Sequence, residues 1–90
     1  MKVEFRRSFE EDLKKIKDKK ILRKVKELIE EIEKAKSFKD IQNINIKKIK
    51  GYKYFYRIRV GDYRIGIKAE GNKVMFVRIL HRKDIYRYFP

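Results

Sequence analysis

The sequence contains no cysteine, which removes disulfides, thiolate zinc sites and cysteine nucleophiles from consideration together. Histidine occurs once, as His81, and one imidazole cannot assemble a usual zinc site by itself. No apolar run approaches the ~18 residues of a membrane span, and the first residues form no signal-type apolar stretch. Proline is confined to position 90 and glycine to four positions, and no linker, internal repeat or low-complexity tract divides the chain. Negative charge is scarce, with 13 Asp and Glu against 27 Lys and Arg, a formal net charge of +14. Ninety residues leave room for one two-layer core and none for a large cofactor-binding fold. The expectation is a soluble, intracellular, single domain over residues 1–90, without metal or cofactor, whose partner is a polyanion, most often nucleic acid.

The excess charge is unevenly placed. Residues 1–45 hold 14 Lys and Arg against 10 acids, whereas residues 46–90 hold 13 against 3. Of 18 lysines, 15 lie at or before Lys53, while six of nine arginines (Arg57, Arg59, Arg64, Arg78, Arg82 and Arg87) follow it. Lysine interleaved with glutamate marks a solvated helix face. The planar fork of arginine suits phosphate.

Met1 to Arg7 alternates as a short half-buried strand. Ser8 followed by Glu11 has the pattern of a capping box for a first helix from Phe9 to about Lys17. Asp18 can cap a second helix running to about Ala35, in which Leu22, Val25, Leu28, Ile29 and Ile32 form one apolar stripe. A polar connection over 36–45 leads to a short strand at Ile46 to Ile49. From Tyr54 the period becomes two: Tyr54, Tyr56, Ile58 and Val60 share one face, Phe55, Arg57 and Arg59 the other. Gly61-Asp62 signals a hairpin, Tyr63, Ile65, Ile67 and Ala69 continue the apolar face, and Val74 to Leu80 is a last strand. Asp84 to Phe89 fits one helical turn. The class is α+β: a small antiparallel sheet of about four strands packed on two N-terminal helices, with a short C-terminal helical turn.

With Gly61 and Asp62 as the loop, Arg59 lies directly opposite Arg64. Like charges at that spacing destabilise by a few tenths to ~1 kcal/mol, so an anion between them is the reading favoured over a face coated with cations for solubility. Arg57 shares the face, and Gly66 opposite it leaves room for a ligand backbone to come close. For Met75, Val77 and Ile79 to join the apolar face, the second loop needs an odd number of residues. A three-residue loop, Glu70 to Asn72, meets that need and puts Arg78 opposite Arg64, with Phe55 and Phe76 among the arginines. His81, Arg82 and Tyr86 follow the last strand. Phosphodiester transfer needs cations for the developing charge and groups to move two protons, and it needs no metal or thiol when the attacking group is the RNA's own 2′-hydroxyl.

The segment Tyr56-Arg57-Ile58-Arg59-Val60-Gly61-Asp62-Tyr63-Arg64-Ile65, followed by Ile79-Leu80-His81-Arg82-Lys83-Asp84-Ile85-Tyr86-Arg87, closely resembles the RelE/ParE toxin superfamily of toxin–antitoxin systems, and the likeness spans essentially the whole chain. The resemblance implies a toxin neutralised by a RelB-like antitoxin that wraps it, in a heterotetramer or higher assembly. RelE-type members cut messenger RNA in the ribosomal A site, contacting mRNA and rRNA, and leave a cyclic phosphate; ParE-type members poison DNA gyrase and lack the RelE cationic site. The basic residues before the RelE hairpin correspond to Arg57 and Arg59, the one after it to Arg64, the late basic residue to Arg82 with Lys83 as the rival, and the terminal tyrosine to Tyr86. Arginine stays protonated, so Arg57, Arg59, Arg64 and Arg82 supply charge, and Tyr86 or His81 serves in proton transfer or stacks on a base. Arg78, Lys83, Lys53 and Phe55 are the expected RNA contacts. Ile46 to Lys50 holds no acid for the glutamate–histidine variant of the site. The implied function is a cytoplasmic, ribosome-dependent endoribonuclease, with a gyrase poison and a non-catalytic RNA-binding module as alternatives.

Overall fold

In a computed structural model of the chain, which describes residues 1–41 and 44–90, the alternating second half forms the sheet and the two helices cover one of its faces. In chain order the elements are β1 (Lys2–Phe5), α1 (Arg7–Lys14), α2 (Lys19–Lys34), a 3₁₀ turn (Phe38–Ile41), β2 (Ile46–Lys48), β3 (Phe55–Val60), β4 (Tyr63–Glu70), β5 (Lys73–His81) and α3 (Ile85–Tyr88). The strand order is β1-β5-β4-β3-β2. The pairs β2–β3, β3–β4 and β4–β5 are antiparallel. The fifth strand, β1, runs parallel to β5, so the sheet is mixed: α1 and α2 carry the chain from β1 at one edge to β2 at the other, and the antiparallel strands β3 and β4 bring it back to β5 beside β1. Among the described residues no helix is long and apolar enough to cross a membrane.

α2 follows its sequence pattern. The Asp18 carboxylate accepts from the backbone N–H groups of Lys20 and Ile21 at 2.9 and 3.4 Å, satisfying two of the donors that a helix start leaves free. Val25, Leu28 and Ile32 are buried, and Leu22 and Ile29 are partly buried against them. The same core takes Phe9 and Ile16 from the first helical region and Ile58, Val60, Ile65, Ile67, Val74, Phe76 and Ile79 from the sheet. Within the stretch expected to be a plain polar connection, Phe38–Ile41 makes its turn by burying Ile41 completely. Positions 42 and 43 of that stretch lie outside the described residues.

α1 departs from expectation. It begins at Arg7 behind Arg6, with no side-chain cap, and ends at Lys14. The capping box of Ser8 and Glu11 does not form: the Ser8 hydroxyl donates to the Val77 carbonyl at 2.6 Å, and Glu11 pairs with Arg7. The cause is a sheet edge. β1 covers β5 only from Lys73 to Phe76, so beyond that point β5 would present unpaired backbone groups. α1 lies along this stretch, and Ser8 takes the Val77 carbonyl while the Asp12 carboxylate accepts from the Ile79 N–H at 3.1 Å.

The first hairpin has the expected register, with Arg59 opposite Arg64, Ile58 opposite Ile65 and Arg57 opposite Gly66. Gly61 takes positive φ (58°) while Asp62 does not, the pattern of a type II′ turn, which is why glycine stands first. The second hairpin corrects the expectation. Its loop has two residues, with Glu70 opposite Lys73, and the change of parity comes from a bulge between Gly66 and Ile67 that leaves Val77 without a partner. Val74 and Phe76 therefore face the core on one side of the bulge and Ile79 on the other. Phe76 is fully buried and not on the open face, and Arg78 lies opposite Gly66 while Leu80 takes the place opposite Arg64.

The face away from α1 and α2 is partly roofed by the C-terminus. Ile85 and Phe89 are buried, and the Phe89 ring sits over Gly66, where an added Cβ would come within 2.6 Å of ring carbons. Phe55 meets the same ring edge to face at 5.6 Å. The space over Gly66, expected to admit a ligand backbone, is thus filled by the chain itself. Gly66→Ala is expected to destabilise the protein by about 1–3 kcal/mol through overpacking. Measured by urea denaturation, Phe89→Ala should remove most of that cost in the double mutant, because the two sites share one contact.

Candidate functional site

The side chains pointing away from the core at the hairpin end of the sheet are cationic across two successive strand pairs. Lys47 of β2 is the register partner of Arg57, and Arg59 is that of Arg64. Each such pairing costs roughly 0.2–1 kcal/mol in the absence of an anion. With Tyr86 from α3, Ile46 from β2 and Asn45 just before it, these four cations line a cleft of about 520 Å³.

Arg64 is held by its own turn. One terminal nitrogen, Nη1, donates to the carbonyls of Gly61 and Tyr63, each at 3.0 Å, leaving its other guanidinium N–H groups to meet an anion. The Arg57 guanidinium carbon lies 4.8 Å from the centroid of the Tyr86 ring, a cation–π contact with a tyrosine otherwise 66% exposed. Among the described residues no carboxylate approaches within 4.0 Å of Lys47, Arg57, Arg59 or Arg64. The other end of the same sheet shows what a solvated face looks like: Lys73 pairs with Glu4 at 3.6 Å and Lys68 with Glu70 at 3.9 Å. Cations placed for solubility alone would be interleaved with acids in the same way.

Arg57, Arg59, Arg64 and Tyr86 are therefore brought together. Arg82 sits in the turn between β5 and α3, where its backbone N–H donates to the Asp62 carbonyl at 2.8 Å, so it shares the hairpin end of the sheet with Arg64. Lys83 is exposed in the same turn, and its backbone N–H donates to His81 Nδ1 at 3.2 Å. His81 stacks edge to face on Tyr63 and lines a separate depression with Asp12, Arg78 and Tyr88. Lys53 lies over the Tyr54 ring at 5.5 Å in the β2–β3 loop, and Phe55 is wedged between Tyr52 and Phe89. Arg78 is occupied: its Nε and Nη2 donate to Asp12 at 2.7 and 2.9 Å. The Asp12 hydrogen bond raises the Arg78 pKa above its ordinary value, with the Asp12 charge adding to it against the opposing effect of burial.

Lys47 joins the cleft although the sequence pattern did not single it out. Its strand has three residues, too few to show a period; the usable signal was Ile46, whose place opposite Ile58 puts the next side chain on the cationic face.

A family model described as the ParE toxin of type II toxin–antitoxin systems, parDE, matches residues 3–86. The chain is 50% identical, over the full length of both, to Toxin RelE3 of Methanocaldococcus jannaschii. It superimposes on the crystal structure of a RelB–RelE antitoxin–toxin complex from Methanococcus jannaschii with a TM-score of 0.81 and 46% identity, covering 97% of this chain and 99% of that one. An archaeal RelE–RelB complex from Pyrococcus horikoshii shares the fold at a TM-score of 0.71 and 19% identity, over 90% of this chain and 93% of the other.

Relieving the Arg59–Arg64 repulsion should separate stability from binding. Arg59→Thr is expected to stabilise the free protein by about 0.2–1 kcal/mol in urea denaturation. The same variant should bind single-stranded RNA more weakly in fluorescence anisotropy, with a salt dependence shallower by about 0.7 in log–log slope for each phosphate that is no longer neutralised.

Proposed function

The chain belongs to the ParE toxin family and is a toxin of a type II toxin–antitoxin system, and from that premise we propose that it acts as a RelE-type, ribosome-dependent endoribonuclease held in check by a RelB-type antitoxin. The observation that carries this reading is the pair of like-charged cross-strand contacts, Lys47–Arg57 and Arg59–Arg64, meeting Tyr86 in one cleft. Among the described residues no carboxylate lies within 4.0 Å of these four cations, and a scissile phosphate supplies the negative charge that would offset them.

Cleavage in this reading is an internal transfer. The 2′-oxygen of the message attacks the adjacent phosphorus, the bond from phosphorus to the 5′-oxygen breaks, and the products are a 2′,3′-cyclic phosphate and a 5′-hydroxyl. The proton lost by the 2′-hydroxyl leaves through a base, and another is given to the departing 5′-oxygen. The Arg64 guanidinium, fixed by Gly61 and Tyr63, offers its remaining donors to the equatorial phosphorane oxygens, where charge develops. Arg59 faces the same phosphate from the neighbouring strand, and Lys47 and Arg57 take the next one along the message. Tyr86 and Lys47 are the groups in the cleft able to exchange a proton, since the arginines remain protonated. His81, directed into the other depression, stacks or contacts RNA outside the reacting centre. Arg82, Lys83 and Lys53 extend the positive surface toward the message and rRNA.

Toeprinting on translating ribosomes tests this directly. Wild-type protein should cut in the A site and leave cyclic-phosphate ends. Arg64→Ala should slow single-turnover cleavage by about 10²–10³-fold and Tyr86→Phe by about 10²–10⁴-fold. Because the matching family model carries the ParE description, gyrase poisoning is the competing reading. Intact ribosome-bound messages together with inhibited supercoiling in a gyrase assay would select it, and RNA binding without cyclic-phosphate ends would select a binding module.

A further inference from the structure

Resting on the nuclease reading for its effect on cleavage, we infer that Arg78, clamped by Asp12, is a positioning residue for Tyr86 and acts through the Tyr88 ring. α3 has four residues, far below the length at which a helix holds itself together in water, so its pose is set by what it touches. Ile85 and Phe89 are buried, at 1% and 5% exposure. Ile85 opens the turn, and Phe89, its extended C-cap, closes it by donating its backbone N–H to the Ile85 carbonyl at 2.9 Å; the burial of both fixes how deep α3 sits and leaves its roll about the line joining them to the contacts of the flanking rings. At about 100° per residue, Tyr86 projects about 100° to one side of Ile85 and Tyr88 about 60° to the other.

Both flanking rings are largely in solvent, Tyr86 at 66% and Tyr88 at 53% exposure, so burial does not hold them. Each rests on a guanidinium instead: Tyr86 on Arg57 at 4.8 Å and Tyr88 on Arg78 at 5.7 Å. The two cations differ in rigidity. Arg57 has no carboxylate partner within 4.0 Å among the described residues. Arg78 is tied by two hydrogen bonds to Asp12, which is itself 5% exposed and bonded to the Ile79 backbone. The immobile cation lies on the Tyr88 flank, so it sets the roll of α3 and with it the direction of the Tyr86 hydroxyl over the cleft. This accounts for an arginine that stands on the RNA-facing side of β5 and yet is turned away from the cleft.

The test follows the ring of Tyr86 by NMR on protein carrying ¹³C-labelled tyrosine, alongside single-turnover cleavage of ribosome-bound message. Tyr88→Phe keeps a ring over Arg78 and should leave both unchanged. Tyr88→Ala and Arg78→Met should each shift the Tyr86 ring resonances and slow cleavage by roughly tenfold to a hundredfold, with RNA affinity within about threefold of wild type. On a Tyr86→Phe background, Tyr88→Ala should cost nothing further, since the two act as one unit. Arg78→Met strands the Asp12 charge and is open to misfolding; Tyr88→Ala leaves the ion pair intact and decides the matter without it. Unmoved Tyr86 resonances in Tyr88→Ala, or an equal loss of cleavage on both backgrounds, overturn the inference. Absence of cleavage by the wild type overturns the nuclease reading instead, and the Tyr86 resonances still report whether Tyr88 sets its position.

Discussion

The Asp12 carboxylate satisfies three donors at once, Arg78 Nε, Arg78 Nη2 and the Ile79 backbone N–H, and the second half of β5 depends on it. That half is an edge, because β1 stops pairing at Phe76. Its backbone groups need partners, its parity must change so that Phe76 and Ile79 both reach the core, and the arginine between them needs an acid. The bulge at Val77 solves the parity, Ser8 and Asp12 supply the partners, and α1 is drawn against the strand as a result. A buried ion pair is weak evidence of stability by itself, since desolvation offsets much of the attraction. Its use here is geometric: it ties α1 to the second half of β5 and leaves Arg78 as a rigid surface beneath α3.

The cationic cleft rests on the opposite arrangement. Where β5 pairs its arginine with an acid, β2, β3 and β4 set Lys47 against Arg57 and Arg59 against Arg64, with no carboxylate within 4.0 Å among the described residues. The cost is carried by the core beneath, where Ile58, Ile65 and Ile67 are completely buried on the other side of the same strands. Ile85 and Phe89 then press α3 against the outer face, and Tyr86 is delivered to the cleft by a segment too short to fold alone. One strand face thus stores unfavourable charge and the other provides the burial that offsets it, a division seen at sites organised around a ligand rather than around stability.

Much of this was legible in the residues. Asp18 and the Leu22-to-Ile32 stripe specify α2 through local physics, one capping interaction and one period. The Gly61-Asp62 turn specifies the register of β3 against β4, and that register alone places Arg59 across from Arg64. The motifs around Arg57–Arg64 and Ile79–Arg87 carry the family resemblance, and the full-length relatives agree with it. Less visible were features whose cause lies far away in sequence. Ser8 and Glu11 have the spacing of a capping box, but the Ser8 hydroxyl finds a stronger use 69 residues away at Val77. The bulge cannot be read from Val74–Leu80 because an apolar run has no parity of its own.

By itself the sequence determined the α+β class, the order of its main helices and strands and the convergence of arginines on one sheet face, since each follows from contacts between residues close in the chain or from a fixed alternation. Only the tertiary structure decided which cations stay in the cleft. Arg78, one arginine among several in the sequence, is withdrawn by Asp12, while Lys47 enters through a strand too short to announce itself. The space over Gly66 goes to Phe89 and not to a ligand. In each case the deciding partner is remote in sequence, and a buried charge, a sheet edge or a glycine gap takes whichever group the packed chain brings to it.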